Sequence, residues 1–297
     1  MTVIPYIEKR FTAASMGLIE AAGEVVEEYT AMDYKITVRQ LYYQLVARDI
    51  VPNSQKSYKR LVSLIGDARM AGMISWEALE DRTRNVKGLQ HWDHPQQVLR
   101  AARHSYRRDK WEGQPYMVEV WVEKEALASV VARTCQRLDV DYLSCRGYMS
   151  LSEMWAASQR FVEAIENGRQ PVIIHLGDHD PSGIDMTRDI FDRLDLFVGY
   201  HISNETEVKR VALNMDQVEA YGPPPNPAKI TDSRATGYIK QFGKASWELD
   251  ALPPNVLDAV ISENVLAYRD ESVYKEVVAR EALELAAIDR AIKGIRI

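Results

Sequence analysis

The stretch QPVIIHLGDHDPSGIDMTRDIFDRL, Gln170 to Leu194, decides how this chain is read. Its apolar run Val172-Ile173-Ile174 fits a short strand buried on both faces. Pro181, Ser182 and Gly183 break it, and the apolar spacing beyond predicts a helix over residues 182–194. Asp178 and Asp180 lie between the two elements. In extended chain, positions i and i+2 point the same way, so both carboxylates can face one ion while His179 points away. The same residues also read as a turn and helix start, with Asp180 as N-cap. His179 reads as solvent-facing, since no other His or Cys stands at ligand spacing. Asp185 reads as a surface residue of the first helical turn.

On either side the pattern repeats. From Tyr116, strand YMVEVWVEK, helix EALASVVARTCQRL, strand DYLSC and helix SLSEMWAASQRFVEAIENG precede the stretch, and strand VKRVALN follows it. This alternation predicts α/β architecture, a mostly parallel, Rossmann-like sheet with helices on its faces. Ligands of such sheets bind outside the carboxyl ends of the strands. The first strand ends in Glu123, and Glu125 reads as favouring the start of the next helix. If the first and third strands are neighbours, Glu123, Asp178 and Asp180 converge. Three close carboxylates repel one another, and burying them is costly unless a cation sits between them. Oxygen-only ligands favour Mg²⁺. The Pro-rich run Tyr221 to Lys229 reads as a connector without regular structure, and helices are expected near residues 254–267 and 272–293.

Upstream the chain is helical. Ile7, Phe11, Leu18, Ile19, Ala22 and Val25 predict a helix over residues 5–31. Thr37 caps a second, to about Arg48, and Val51-Pro52-Asn53-Ser54 breaks it. A third runs over residues 55–71, with Tyr58, Leu61, Val62, Leu64 and Ile65 on its apolar side. MISWEALEDRTR reads as a short strand and turn, and residues 95–107 as helix. Helix, break, basic helix and extended wing is the order of a winged helix, a DNA-reading unit. The boundary falls near residues 110–116, giving a helical, winged-helix-like unit over 1–112 and an α/β unit over 113–297.

Composition sets the outer bounds. The chain has 297 residues, 46% hydrophobic and 27% charged, which is ordinary for a globular protein. No apolar run reaches the roughly 18 residues of a membrane span, and the start resembles no secretory signal. Cys135 and Cys145, the only two cysteines, form neither a disulfide framework nor a zinc pair, so a cytoplasmic location is expected. The formal net charge is −6. Residues 35–110 nonetheless carry 15 basic and 7 acidic residues, whereas residues 111–297 carry 20 and 30. A basic module on an acidic body points to nucleic acid, and it reads equally as a solvated basic face.

Taken together, these motifs resemble a known family. Glu123 in VEKEA, then GDHDPSG after a later strand, resembles the Toprim domain of topoisomerases and primases. RGYMS, Arg146 to Ser150, stands where that domain has a Gly-containing turn, and ASWELDALPP resembles its C-terminal part. TVRQLYYQL resembles the winged-helix (CAP-like) domain of the topoisomerase VI A subunit and its meiotic double-strand-break relatives. In them an Arg lies four residues before the Tyr that attacks DNA, the spacing of Arg39 and Tyr43 here. The resemblance spans about residues 30–260. Gln40 departs from it, an acid being usual there. No ATP-binding segment is visible, so an ATPase would be a separate chain.

The resemblance implies Mg²⁺-dependent cleavage of double-stranded DNA by a homodimer. Tyr43 would attack a backbone phosphate and leave a free 3′-hydroxyl, with Mg²⁺ on Glu123, Asp178 and Asp180. Each site would take its Tyr from one chain and its metal from the other. Arg39, on the same helix face as Tyr43, would favour the phenolate and stabilise phosphate charge. Taken by itself, Tyr43 reads as a core aromatic, and adjacent Tyr42 and Tyr43 cannot share a face. Lys56, Lys59, Arg60, Arg82 and Arg84 are candidate phosphate contacts. Two other readings stand beside this one. One is a hydrolytic nuclease, with water activated on the same metal and Tyr43 structural. The other is a non-catalytic DNA-binding module.

Overall fold

The computed structural model describes residues 5–32, 34–79, 89, 91–198, 206–228, 232 and 234–294. Four helices come first: α1 (Ala13–Ala31), α2 (Val38–Ala47), α3 (Gln55–Met70) and α4 (Pro95–Ser105). An alternating region follows: β1 (Tyr116–Val122), α5 (Ala128–Leu138), β2 (Asp141–Ser144), α6 (Leu151–Glu166), β3 (Gln170–Leu176), α7 (Pro181–Val198) and β4 (Glu207–Ala212). The chain continues through α8 (Met215–Tyr221), β5 (Asn226–Pro227), α9 (Ala235–Phe242), β6 (Ala245–Ser246), α10 (Pro254–Leu266) and α11 (Glu271–Gly294).

The fold is α/β. β1 to β4 form one four-stranded sheet in the order β2-β1-β3-β4, and every neighbouring pair is parallel. Strand alternation divides the side chains between two cores. Val118, Val120 and Val122 of β1, with Val172, Ile174 and Leu176 of β3, pack with α5 and α10. Trp121 and Ile173 point the other way, onto Met154 and Phe161 of α6 and Ile190 and Leu194 of α7. Burial on both faces is why these strands are mostly apolar, and Glu119 within β1 is paired with Arg160.

A third core gathers α1, α2 and α3 around Leu18, Val25, Leu41, Leu45, Leu61 and Ile65, and it takes in Ala251 from the far end of the sequence. The Thr37 cap is present: its hydroxyl accepts the Gln40 N–H at 3.2 Å while Gln40 Oε1 accepts the Thr37 N–H at 2.8 Å. This reciprocal pair satisfies two donors at the start of α2. It also gives Gln40 a structural reason to stand where the resemblance expects an acid. α4 is tied to the last helix, α11, by Arg103 on Asp289 at 2.9 Å.

Several expectations need correction. α1 starts at Ala13 with Thr12 as N-cap, not at residue 5. The segment before it is held instead by Tyr6 and Ile7 N–H groups on the Met70 carbonyl. Val62 is exposed, off the buried stripe of Leu61, Leu64, Ile65 and Ala68. Of the expected wing, a single bridge between Ile36 and Leu79 falls among the described residues. The Pro-rich connector contains β5, paired antiparallel with β6.

Candidate functional site

β1 and β3 are neighbours, with Val122 opposite Leu176. Glu123 continues that ladder, donating its N–H to the Leu176 carbonyl at 2.8 Å. It therefore leaves the sheet beside the loop carrying Asp178 and Asp180. Glu123 Oε2 accepts the Asp178 N–H at 2.8 Å. Two glycines make this approach possible. A Cβ at Gly177 would stand 3.1 Å from Glu123 Oε2, and one at Gly183 only 2.2 Å from the Asp178 carbonyl oxygen. No side chain fits at Gly183 without moving the loop.

The two aspartates have different partners. Asp180 Oδ1 accepts the Gly183 N–H at 2.7 Å and the Ser182 hydroxyl at 2.8 Å, so it caps α7 as the sequence suggested. Asp178 Oδ1 accepts the Leu249 N–H at 2.8 Å and lies 2.9 Å from Lys124 Nζ. Lys124 also pairs with Glu248 and, at 3.1 Å, with Asp250. Arg39 of α2 meets the same two acids, through Nε on Asp250 at 2.7 Å and Nη2 on Glu248 at 3.0 Å. Behind the loop, Arg210 of β4 donates to the carbonyls of Gly177, Asp178, Gly183 and Leu213 at 2.9, 2.6, 2.8 and 3.1 Å.

Five acids and three cations thus gather at this edge, and Asp178, Glu248 and Asp250 form ion pairs there. Glu123, Asp178, Asp180 and Asp250 are all buried. Burial pushes the Asp178 carboxyl above the usual carboxylate range; Lys124 opposes this, and Glu123 and Glu248 add to it. Burial also raises Glu123, against the Asp178 N–H and Lys124. It would depress Lys124, but Asp250, Asp178 and Glu248 outweigh it and hold the ammonium charged. Burial lowers Arg210 to about 10, against the three site carboxylates. Among the described residues, no three His, Cys, Asp or Glu side chains are drawn together closely enough to chelate an ion.

Arg39, Tyr43, Asp178, Asp180 and Glu248 line one cavity of about 380 Å³ at the carboxyl edge of the sheet. Its other walls include Tyr58 and Trp247. The Arg39 guanidinium lies 5.8 Å from the centre of the Tyr43 ring. A single chain therefore brings the helix of Tyr43 to the acids, a meeting that the resemblance places between two chains. The Tyr43 phenol is 6% exposed. Burial, then Asp250 and Glu248, push it up to about 12, against Arg39 and Lys124. Tyr42 is buried as well, its hydroxyl accepting the Ser54 N–H at 2.7 Å in the break before α3. Neither tyrosine lies on an open helix face.

Lys56, Lys59 and Arg60 are exposed on α3, outside the cavity wall, and Arg82 and Arg84 lie outside the described residues. His179 is buried, not solvent-facing. It does point away from the acids, but into a cage of Tyr238, Phe242 and Trp247, with Nδ1 2.7 Å from the Tyr238 hydroxyl. Asp185 is no plain surface residue either: it accepts the Tyr148 hydroxyl at 2.6 Å and pairs with Arg188 and Arg234. Sequence reading singled out neither Lys124 nor Arg210, and it left Glu248 and Asp250 without a role. The i, i+2 spacing of Glu248 and Asp250, the same as that of Asp178 and Asp180, was the one available signal. Against the models of known protein families the chain has no match, and among curated proteins it has none either.

Proposed function

We propose that this protein is a Mg²⁺-dependent DNA-cleaving enzyme of the topoisomerase VI A subunit type, with a winged-helix-like unit over 1–112 and a Toprim-like unit over 113–297. One observation carries the reading: Tyr43 and Arg39 line the same cavity as Asp178 and Asp180. Glu123, Asp178 and Asp180 offer only oxygens, the donors a hard cation takes, and they would have to draw closer together to hold one. Bound there, Mg²⁺ would stabilise charge on the attacked phosphate.

The chain's own groups do the rest. Tyr43 Oη attacks a backbone phosphorus, its proton passes to solvent, and the departing 3′ oxygen takes up a proton, leaving a phosphotyrosyl link. An ordinary phenol is a weak nucleophile at neutral pH, and burial beside Asp250 and Glu248 makes Tyr43 weaker still. Attack therefore requires α2 to leave Glu248 and Asp250, after which Arg39 turns to the phosphate. Contacts that a chain makes with itself can be exchanged with an identical partner. We therefore infer a homodimer in which the released Tyr43 meets the acids of the other copy. Double-stranded DNA is the substrate, and a separate ATPase subunit is a possible companion.

The burial of Tyr43 is also what favours the competing hydrolytic reading, in which it is a core residue. Plasmid cleavage separates the two. Supercoiled DNA should be nicked or linearised with Mg²⁺, and both Asp178→Ala and Tyr43→Phe should abolish this. Full cleavage by Tyr43→Phe would establish hydrolysis. Absence of cleavage together with duplex binding would establish a non-catalytic module.

A further inference from the structure

Glu248 holds an unusual position. A single carboxylate oxygen, Oε2, takes both Arg39 Nη2 at 3.0 Å and Lys124 Nζ. The guanidinium comes from the helix of Tyr43, and the ammonium from the residue after Glu123. An anionic oxygen held between an Arg and a Lys is also how proteins hold a phosphate. Asp250 meets the same two cations and is fully buried, so it is their fixed counter-ion; like Lys124 it lies outside the cavity wall, to which Glu248 belongs. Glu248 lines the cavity and keeps 24% of its side chain exposed, so it can leave without opening a core.

We propose that Arg39 and Lys124 form the subsite for the DNA phosphate to be attacked, and that Glu248 is a resident anion which fills this subsite until DNA displaces it. The proposal rests on the DNA-cleaving reading and adds two roles to it. Lys124 is a phosphate-binding residue, and Glu248 is an internal competitor. Displacement trades one anion for another at Arg39 and Lys124, with Asp250 still at hand as DNA enters. It also breaks one of the two ion pairs that hold α2 against the acids. DNA entry thereby removes the first of the two pairs whose loss frees the helix of Tyr43.

The test is binding of a fluorescent 20-base-pair duplex by the full chain without divalent metal, followed by anisotropy over a range of salt. Glu248→Gln should bind about tenfold more tightly than wild type. Lys124→Met should bind more weakly, with a salt slope smaller by about one phosphate contact. In the Lys124→Met background, Glu248→Gln should lose most of its effect. If wild type binds in a salt-dependent way but Glu248→Gln, with an unchanged melting temperature, binds no better, this inference fails and the cleavage reading stands. If Glu248→Gln does not fold, Lys124→Met decides: unchanged affinity and slope overturn the proposal, and reduced values support it. Wild type that binds no duplex at low salt overturns both.

Discussion

Arg39 Nε lies 2.7 Å from Asp250 Oδ2, joining the helix that carries Tyr43 to a fully buried acid 211 residues away. Its partner Lys124 is largely buried, whereas the Arg39 side chain is 42% exposed. Asp250→Ala leaves Lys124 short of a counter-ion in a low-dielectric setting and should cost on the order of 3 kcal/mol. Arg39→Met removes a partly solvated partner and should cost about 1 kcal/mol. Urea unfolding measures both, and equal losses would mean that Asp250 is not the anchor.

Gly183→Ala should be more harmful than a mid-helix glycine substitution usually is. The new Cβ would stand 2.2 Å from the Asp178 carbonyl oxygen, so the acid loop or α7 must shift. Overpacking of this kind costs about 1–3 kcal/mol. Duplex cleavage should fall by more than tenfold in protein that is still folded, because Asp178 and Asp180 move with the loop. Wild-type cleavage and an unchanged melting temperature in the alanine variant would contradict the geometry.

His175 sets an acid limit on stability. Burial, then the Arg210 charge, lower it from 6.5 to about 3 in the folded chain. The unfolded chain therefore binds more protons below pH 6.5. Stability is full above that pH and falls as pH drops towards about 3, by up to about 1.4 kcal/mol per unit. His179, lowered by burial and by Arg210 to about 4, acts in the same direction. Urea unfolding from pH 7 to 4 checks this, and His175→Asn should flatten the slope. A slope left unchanged by His175→Asn would refute it.

How much of this was legible in the sequence follows from the range of each interaction. The Thr37 and Asp180 caps were readable because they close within three residues. The parallel sheet was readable because β1 and β3 are buried on both faces and are mostly apolar. The convergence of Glu123 with Asp178 followed from where those strands end. Other contacts had no local trace. Lys124 on Asp250 spans 126 residues, and Arg210 reaches the loop from β4. His179 was misread for the same reason: alternation fixes its direction, but its cage comes from residues 238–247.

Mixing two inactive variants tests the shared site. Tyr43→Phe retains the acids, and Asp178→Ala retains Tyr43. If Tyr43 crosses to the partner, random pairing makes about half of the dimers mixed, each with one working site of two, and restores about a quarter of the cleavage per site. Plasmid nicking by the co-expressed pair measures it. No recovery in a pair shown to form mixed dimers would place Tyr43 and the acids of one chain in the same working site, as the single-chain cavity has them.

The central claim is that Tyr43 forms a covalent bond to DNA. Internally radiolabelled duplex, incubated with the protein and Mg²⁺, denatured and digested with nuclease, tests it directly. Label should stay with the protein through denaturation, map to the peptide containing Tyr43, and disappear in Tyr43→Phe. Cleaved DNA without label on the protein, or label that persists in Tyr43→Phe, would contradict it.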